Sequence, residues 1–190
     1  MRISGGSARG ILLDIPRGVE YLRPATDFLR EAIFSSLGQS VQNAFVLDLF
    51  AGVGSYGLEA LSRGANACVF VEKNRRASDA IESNLRKVKK STGRNFMAKV
   101  LCQEVFSFAE THATSFDIIF IDPPYNLIEA LGMKCLQIFS KFLKDANTSR
   151  LVIEIPGLCS IGEVAGMIEL RRLGRVGNSR QPNALIYGKK

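Results

Sequence analysis

Continuous apolar runs recur along this chain, separated by stretches whose apolar residues fall at helical spacing. FVLDLF (45–50), ACVFVE (67–72), AKVLCQ (98–103), FDIIFI (116–121) and RLVIEI (150–155) predict strands buried on both faces, as in a parallel sheet covered by helices. Between them YGLEALSR, RRASDAIESNLRKVKK and NLIEALGMKCLQIFSKFLK predict helices with one apolar face. Strand alternating with helix is the pattern of a doubly wound α/β fold. Near the C-terminus MIELRRLGRV and ALIYGKK, joined by the polar loop GNSRQPN, predict a closing pair of strands. They complete a seven-stranded, mostly parallel sheet with an antiparallel strand at its edge. At the front, MRISGG and GILLDIP predict a small hairpin. The helix TDFLREAIFSSLG follows, with Thr26 as N-cap and Gly38 as stop. Residues 1–40 read as an appendage to a single domain whose core runs from 41 to 190.

Composition narrows the class. At 190 residues and 46% hydrophobic the chain can bury a sizeable core. Its apolar runs are strand-length, too short to span a bilayer, and the N-terminus has no apolar stretch after its first charge, so no signal peptide is expected. Cys68, Cys102, Cys135 and Cys159 lie far apart without CxxC spacing. They read as reduced core residues of a cytoplasmic protein. The single histidine, His112, argues against a metal centre or a histidine-based triad.

The charge is unevenly spread. Residues 63–99 hold ten Lys/Arg against three Asp/Glu, residues 170–190 hold six against none, and residues 100–169 hold four against nine. Basic flanks around a more acidic middle fit a polyanion approaching a site built from carboxylates. Candidate nucleic-acid contacts are Arg2, Arg9, Arg30, Arg86, Lys87, Lys89, Lys90, Arg171, Arg172, Arg175 and Arg180.

DLFAGVGSYG turns from the first core strand into a helix, and Gly52, Gly54 and Gly57 satisfy GxGxxG. Glu72 ends the next strand, where it can accept hydrogen bonds from a ribose diol. Together these are the signature of an adenosine-containing cofactor. A dinucleotide would bring a pyrophosphate to the helix N-terminus, where the Asp48 carboxylate would repel it. The same charge favours a sulfonium, so S-adenosylmethionine is the preferred reading over NAD.

DPPY (122–125) follows the fourth strand, at the same edge of the sheet as the glycine loop. Proline fixes its own φ and extends the residue before it, so Pro123 and Pro124 hold Asp122 and the Pro123 carbonyl in a rigid frame. These two acceptors can take both hydrogens of an exocyclic amine and aim its nitrogen at a methyl donor. The gain comes from orientation and from stabilising developing positive charge. Tyr125 is placed to stack on the base plane, and a base inside a duplex must be flipped out to reach the site.

DLFAGVGSYGLEALSRGA with FIDPPYN, preceded by MRISGGSARGILLDIP and LRPATDFLREAIFSSLG, resembles the bacterial methyltransferases that modify a guanine N2 amine in small-subunit ribosomal RNA. The resemblance implies a class I, Rossmann-like methyltransferase fold, S-adenosylmethionine as cofactor, and ribosomal RNA or an assembled small subunit as partner. It implies a monomer in the cytoplasm, with no metal and no membrane. The cofactor loop then comprises Asp48, Phe50, Ala51, Gly52 and Gly54, with Glu72 and Lys73 at the ribose. Glu104 and Val105 stand at the adenine, where relatives often place Asp or Asn. Arg23, Pro24, Thr26 and Arg30 match an opening block near the methionine end of the cofactor. Asp122, Pro123, Pro124 and Tyr125 match the catalytic motif. DPPY alone is shared with adenine-N6 methyltransferases of DNA or RNA.

Overall fold

The computed structural model describes residues 1–17, 27–157, 159–174 and 181–190. Among these residues the apolar runs form one seven-stranded sheet: β1 (Phe45–Leu49), β2 (Ala67–Val71), β3 (Met97–Leu101), β4 (Ile118–Ile121), β5 (Arg150–Pro156), β6 (Met167–Leu173) and β7 (Pro182–Lys189). The spatial order is β3-β2-β1-β4-β5-β7-β6. Neighbours from β3 to β5 pair in parallel. The antiparallel pairing lies at the far edge, where β7 is inserted between β5 and the edge strand β6. Strand order runs one way from β1 to β3 and the other way from β4 to β5, so the switch point falls between β1 and β4. Ligands of open α/β sheets bind beyond the strand carboxyl ends at that point.

Among the described residues five α-helices cover the sheet: α1 (Asp27–Leu37), α2 (Ser55–Ser62), α3 (Arg75–Thr92), α4 (Val105–Thr111) and α5 (Ile128–Phe139). Ile33 and Phe34 of α1, Leu58 and Leu61 of α2, and Ile81, Leu85 and Val88 of α3 share one core with Val46, Phe120 and Val152 of the sheet. Phe108 of α4 and Leu136 and Phe139 of α5 pack with Leu47, Ile119 and Ile153 on the opposite face. Alternation along each strand therefore assigns every second residue to a known face. Asp48, Asp122 and Glu154 continue the α2 side.

Local signals explain the helix ends. Asn74 caps α3 by accepting from the Ala77 N–H at 3.2 Å, and Gly93 closes it in the left-handed region. The segment 126–144, expected as one helix, is α5 flanked by single 3₁₀ turns at Tyr125–Leu127 and Ser140–Phe142. Helix α4 has no counterpart in the sequence reading, because seven residues with two buried apolar positions carry too little periodicity. The predicted Thr26 cap lies outside the described residues. The N-terminal hairpin forms through Ile3 N–H to Ile11 carbonyl at 3.0 Å and Gly10 N–H to Ile3 carbonyl at 2.9 Å. Ser4 latches it onto α2: both its N–H and its hydroxyl donate to Glu59, each at 2.8 Å.

Two expectations about burial fail. β3 is an edge strand and largely exposed, with Met97 74% accessible, although its apolar run reads as buried. Of the four cysteines, all free, Cys68 and Cys135 are core residues, but Cys102 is exposed and Cys159 half-buried. Both lie just past strand ends, where the sheet stops covering them. No described helix is long and apolar enough to cross a membrane.

Candidate active site

β1 leads into the glycine loop with a backbone that few side chains tolerate. Phe50 has φ 56° and Gly54 has φ 83°, both in the left-handed region that glycine occupies without penalty. The turn is fixed by Ala51 N–H to the Val71 carbonyl at 3.1 Å and by Gly54 N–H to the Ala51 carbonyl at 2.7 Å. Gly57 serves close packing of α2 on the sheet: a Cβ there would lie 2.3 Å from the Phe70 ring and 2.6 Å from the Cys68 sulfur.

Two carboxylates hold this loop in different ways. Glu72 lies past the end of β2, its Oε2 accepting the Gly52 N–H at 2.9 Å and its Oε1 the Asn74 N–H at 2.8 Å. Asp48 faces α2 and its Oδ2 accepts the Gly57 N–H at 2.8 Å, satisfying a free donor in the first turn of that helix. Burial pushes the Asp48 carboxyl up to about 8, opposed by the Gly57 N–H and reinforced by nearby Glu72. Asp48 is 1% exposed and lies behind the loop, so the expected direct contact with a sulfonium gives way to support of the α2 N-terminus.

The stability consequence has a definite sign. Unfolded, Asp48 titrates near its ordinary 3.8; folded, near 8. Between those values the native state holds a proton that the unfolded chain releases, so this contribution is complete below pH 4 and lost as pH rises through 8. Asp48→Asn keeps an acceptor for Gly57 without the ionisation. Its loss of stability between pH 5 and 8 is expected to be shallower than wild type by as much as about 1.4 kcal/mol per pH unit. Denaturant melts at pH 5, 6.5 and 8 measure this, and parallel slopes for the two proteins would refute it.

At the switch point the loop opens on a cavity of about 430 Å³, within the roughly 300–1,000 Å³ usual for small-molecule sites. Its β1–β3 half is lined by Phe50, Ala51, Gly52, Val53, Ser55, Glu72, Lys73, Glu104 and Val105, its β4–β5 half by Asp122 to Leu127, Leu131 and Glu154. The sequence-predicted loop, Glu72–Lys73, Glu104–Val105 and DPPY segments therefore meet in one space, while Asp48 does not line it. Glu104 also caps α4, accepting the Phe106 N–H at 2.8 Å. Met1 and Ile15 of the N-terminal segment reach the same cavity. Arg23, Pro24 and Thr26 lie outside the described residues.

Beyond β4, DPPY is entirely trans, with Pro124 at φ −52° and ψ 132°. The Asp122 carboxylate has no hydrogen-bond partner among the described residues, and it is held well above the usual carboxylate range by burial, then by Glu154 and Asp48. The Tyr125 hydroxyl donates to Glu154 Oε1 at 2.7 Å and the Tyr56 hydroxyl to Glu154 Oε2 at 2.6 Å. Glu154 itself is raised by burial, against the pull of both tyrosyl hydroxyls and the charge of Arg30. Sequence reasoning passed over Glu154. An acid inside the apolar run RLVIEI, level with DPPY, was the available signal.

The basic candidates separate by position. Arg30 is fully buried, its guanidinium donating to Asp27 at 2.8 Å and to the Arg2 carbonyl at 2.6 Å and lying 3.4 Å from Glu59. It is an internal counter-charge and not a surface contact. Lys87 pairs with Asp14 and Arg172 with Glu169. Lys89 and Lys90 occupy the last turn of α3, where they complement the helix dipole at the sheet edge opposite the cavity. Arg2, Arg9, Arg86 and Arg171 are exposed, and Arg175 and Arg180 lie outside the described residues. β6 runs toward the cavity edge of the sheet, and β7 starts at Pro182, paired with Pro156.

The model of the family described as "Conserved hypothetical protein 95" matches residues 1–181. The chain belongs to this family. The match runs over nearly the whole sequence. A curated relative, ribosomal RNA small subunit methyltransferase D of Escherichia coli (strain K12), is 38% identical over 126 residues, 66% of this chain and 61% of the relative. The chain thus spans less than two thirds of that relative's length. The Haemophilus influenzae protein of the same name is 35% identical over 140 residues, 71% of this chain and 70% of the relative. Among solved structures, the proposed methyltransferase yhhF from Escherichia coli superposes with a TM-score of 0.80 at 30% identity, covering 100% of this chain and 98% of that one. Family members and this chain share the class I, Rossmann-like methyltransferase fold.

Proposed function

We propose that this protein transfers a methyl group from S-adenosylmethionine to the exocyclic N2 amine of a guanine in small-subunit ribosomal RNA. The observation that carries the reading is the Asp122 carboxylate: rigidly framed, without a partner among the described residues, and facing the same cavity as the Gly52–Glu72 cradle. The names of the relatives, ribosomal RNA small subunit methyltransferases, support RNA as substrate.

The residues present fit this cofactor. Glu72 lines the cavity and is preorganised by two backbone N–H groups, the placement and chemistry of an acceptor for a ribose diol. Ala51, Gly52 and Val53 give the close backbone approach, and Glu104 and Val105 stand where an adenine amine would meet an acceptor. Bound S-adenosylmethionine supplies an electrophilic methyl on a sulfonium, whose carbon–sulfur bond breaks as the carbon–nitrogen bond forms.

Asp122 and the Pro123 carbonyl accept the two amine hydrogens and turn the nitrogen lone pair toward the methyl donor. As the nitrogen acquires charge, an Asp122 oxygen takes the surplus proton; burial and Glu154 make that carboxylate basic enough to hold it. Tyr125, its hydroxyl fixed by Glu154, presents its ring as a wall on which the base stacks. Exposed Arg2, Arg9, Arg86 and Arg171 are the described basic residues open to phosphate contacts, which would be collectively salt-dependent. The experiment is methyl transfer from labelled S-adenosylmethionine to undermethylated small subunits, followed by digestion to nucleosides. N2-methylguanosine is the expected product. N6-methyladenosine, or no labelled nucleoside from protein that binds the cofactor, would reject the reading.

A further inference from the structure

The reaction as described gives Glu154 only supporting roles, beside Asp122 and at the Tyr125 hydroxyl, and no contact with the base. Its position is set by sheet register. Phe120 pairs with Val152 and Ile121 with Ile153, so the next step of the same parallel ladder places Asp122 beside Glu154. Both side chains point to the α2 face, where Phe120 and Val152 already lie. Strand order then divides the cavity. The cofactor cradle stands on β1, β2 and β3, while Glu154 stands on β5, on the far side of Asp122. A group bound between Asp122 and Glu154 is the acceptor base, not the cofactor.

The chemistry of that second carboxylate is restrictive. Glu154 is 4% exposed yet contributes to the cavity wall. Its two oxygens each take one tyrosyl hydroxyl, from Tyr56 and Tyr125, and each keeps further acceptor capacity. Tyr56 is itself clamped by stacking on Phe120, centroids 5.0 Å apart. A carboxylate held this way is an acceptor that barely moves. Guanine carries a donor, N1–H, next to its N2 amine; adenine carries a bare acceptor nitrogen, N1, next to its N6 amine. An amine seated on Asp122 brings its neighbouring ring nitrogen toward Glu154, where N1–H is paired and a bare nitrogen meets two repelling lone pairs.

We propose that Glu154 is the specificity-determining residue for the acceptor base, reading the N1–H of guanine and rejecting purines with an unprotonated N1. This rests on the guanine-N2 reading above. It goes beyond that reading by assigning the discrimination to one side chain outside DPPY, on a different strand.

The labelled guanine is first mapped in the methylated RNA; the test then uses small subunits reconstituted with ligated RNA in which that guanine is kept or replaced by 2-aminopurine, which retains the N2 amine but has no proton on N1. Single-turnover rates are measured for wild type and for Glu154→Gln, whose amide can accept from N1–H or donate to a bare N1. Wild type is expected to favour guanine over 2-aminopurine by about tenfold or more, the range carried by a specific base-edge contact. Glu154→Gln is expected to shrink that ratio to about threefold or less, mainly by slowing guanine and sparing 2-aminopurine. A residue that only props Tyr125 would slow both substrates by the same factor, and an unchanged ratio overturns the proposal. S-adenosylhomocysteine titration of the variant verifies that the cofactor half is intact. Should that binding be lost, Glu154→Asp, which shortens the reach and keeps the charge, is measured instead, and an unchanged ratio there overturns the proposal equally. If wild type labels no N2-methylguanosine even on unsubstituted RNA, it is the function that fails, and the two failures are told apart.

Discussion

Asp122→Ala is expected to lower the single-turnover methylation rate by about 10²–10⁴-fold, the contribution usual for a positioned acid–base group, while cofactor binding stays close to wild type. The asymmetry follows from placement. The proposed cofactor cradle belongs to the β1–β3 half of the cavity, and Asp122 begins the β4–β5 half. Removing its carboxylate deletes one of two amine acceptors and the site that takes the proton, but none of the cradle. The fold should tolerate the change, because the carboxylate is half-buried at the cavity wall and makes no hydrogen bond among the described residues. Asp122→Asn refines the test. It keeps an acceptor oxygen but cannot ionise, so the wild-type rise of rate with pH, which lies above the ordinary carboxylate range, should disappear in the variant. Quenched-flow transfer from labelled cofactor gives both results. Turnover in Asp122→Ala within tenfold of wild type would remove Asp122 from the chemistry.

Glu72→Ala is expected to weaken S-adenosylmethionine binding by about 10²-fold, because hydrogen bonds to a charged group are worth about 1.5–3 kcal/mol each. In the proposed site the carboxylate does two things at once: it is the acceptor for a ribose diol, and it ties down the Gly52 and Asn74 N–H groups. The variant therefore also leaves donors at the loop without partners. Saturating cofactor should restore much of the methylation rate, since Asp122 and Tyr125 are untouched. Calorimetric titration beside rates at high cofactor concentration separates binding from chemistry. Affinity within threefold of wild type in a folded variant would contradict the assignment.

The sequence made the framework legible where one physical signal dominated. Five apolar runs separated by helical stretches can hardly be anything other than a covered parallel sheet, and glycines between a strand and a helix mark a close-approach turn. Those two readings, with DPPY after the fourth strand, suffice to bring the Gly52, Glu72 and Asp122 segments to one edge of the sheet. What stayed hidden depended on partners distant in sequence. β3 reads as buried by composition, but its exposure follows from being at the end of the sheet. Arg30 reads as a surface cation until Asp27, Glu59 and the Arg2 carbonyl close around it. Asp48 reads as a ligand for a cation because its hydrogen bond to Gly57, nine positions away, leaves no trace in a strand pattern. Glu154 is the instructive case. Its significance lies in two tyrosines, 98 and 29 positions away, and in a register that sets it beside Asp122.

Those placements converge on one claim, that the cavity at the β1–β4 switch point delivers a methyl group to the N2 amine of guanine. It is tested most directly by nucleoside analysis of undermethylated small-subunit RNA after incubation with this protein and methyl-labelled S-adenosylmethionine. The predicted result is a single labelled nucleoside, N2-methylguanosine, present with wild type and absent with Asp122→Ala. Label in N6-methyladenosine, or equal labelling by the two proteins, would contradict it.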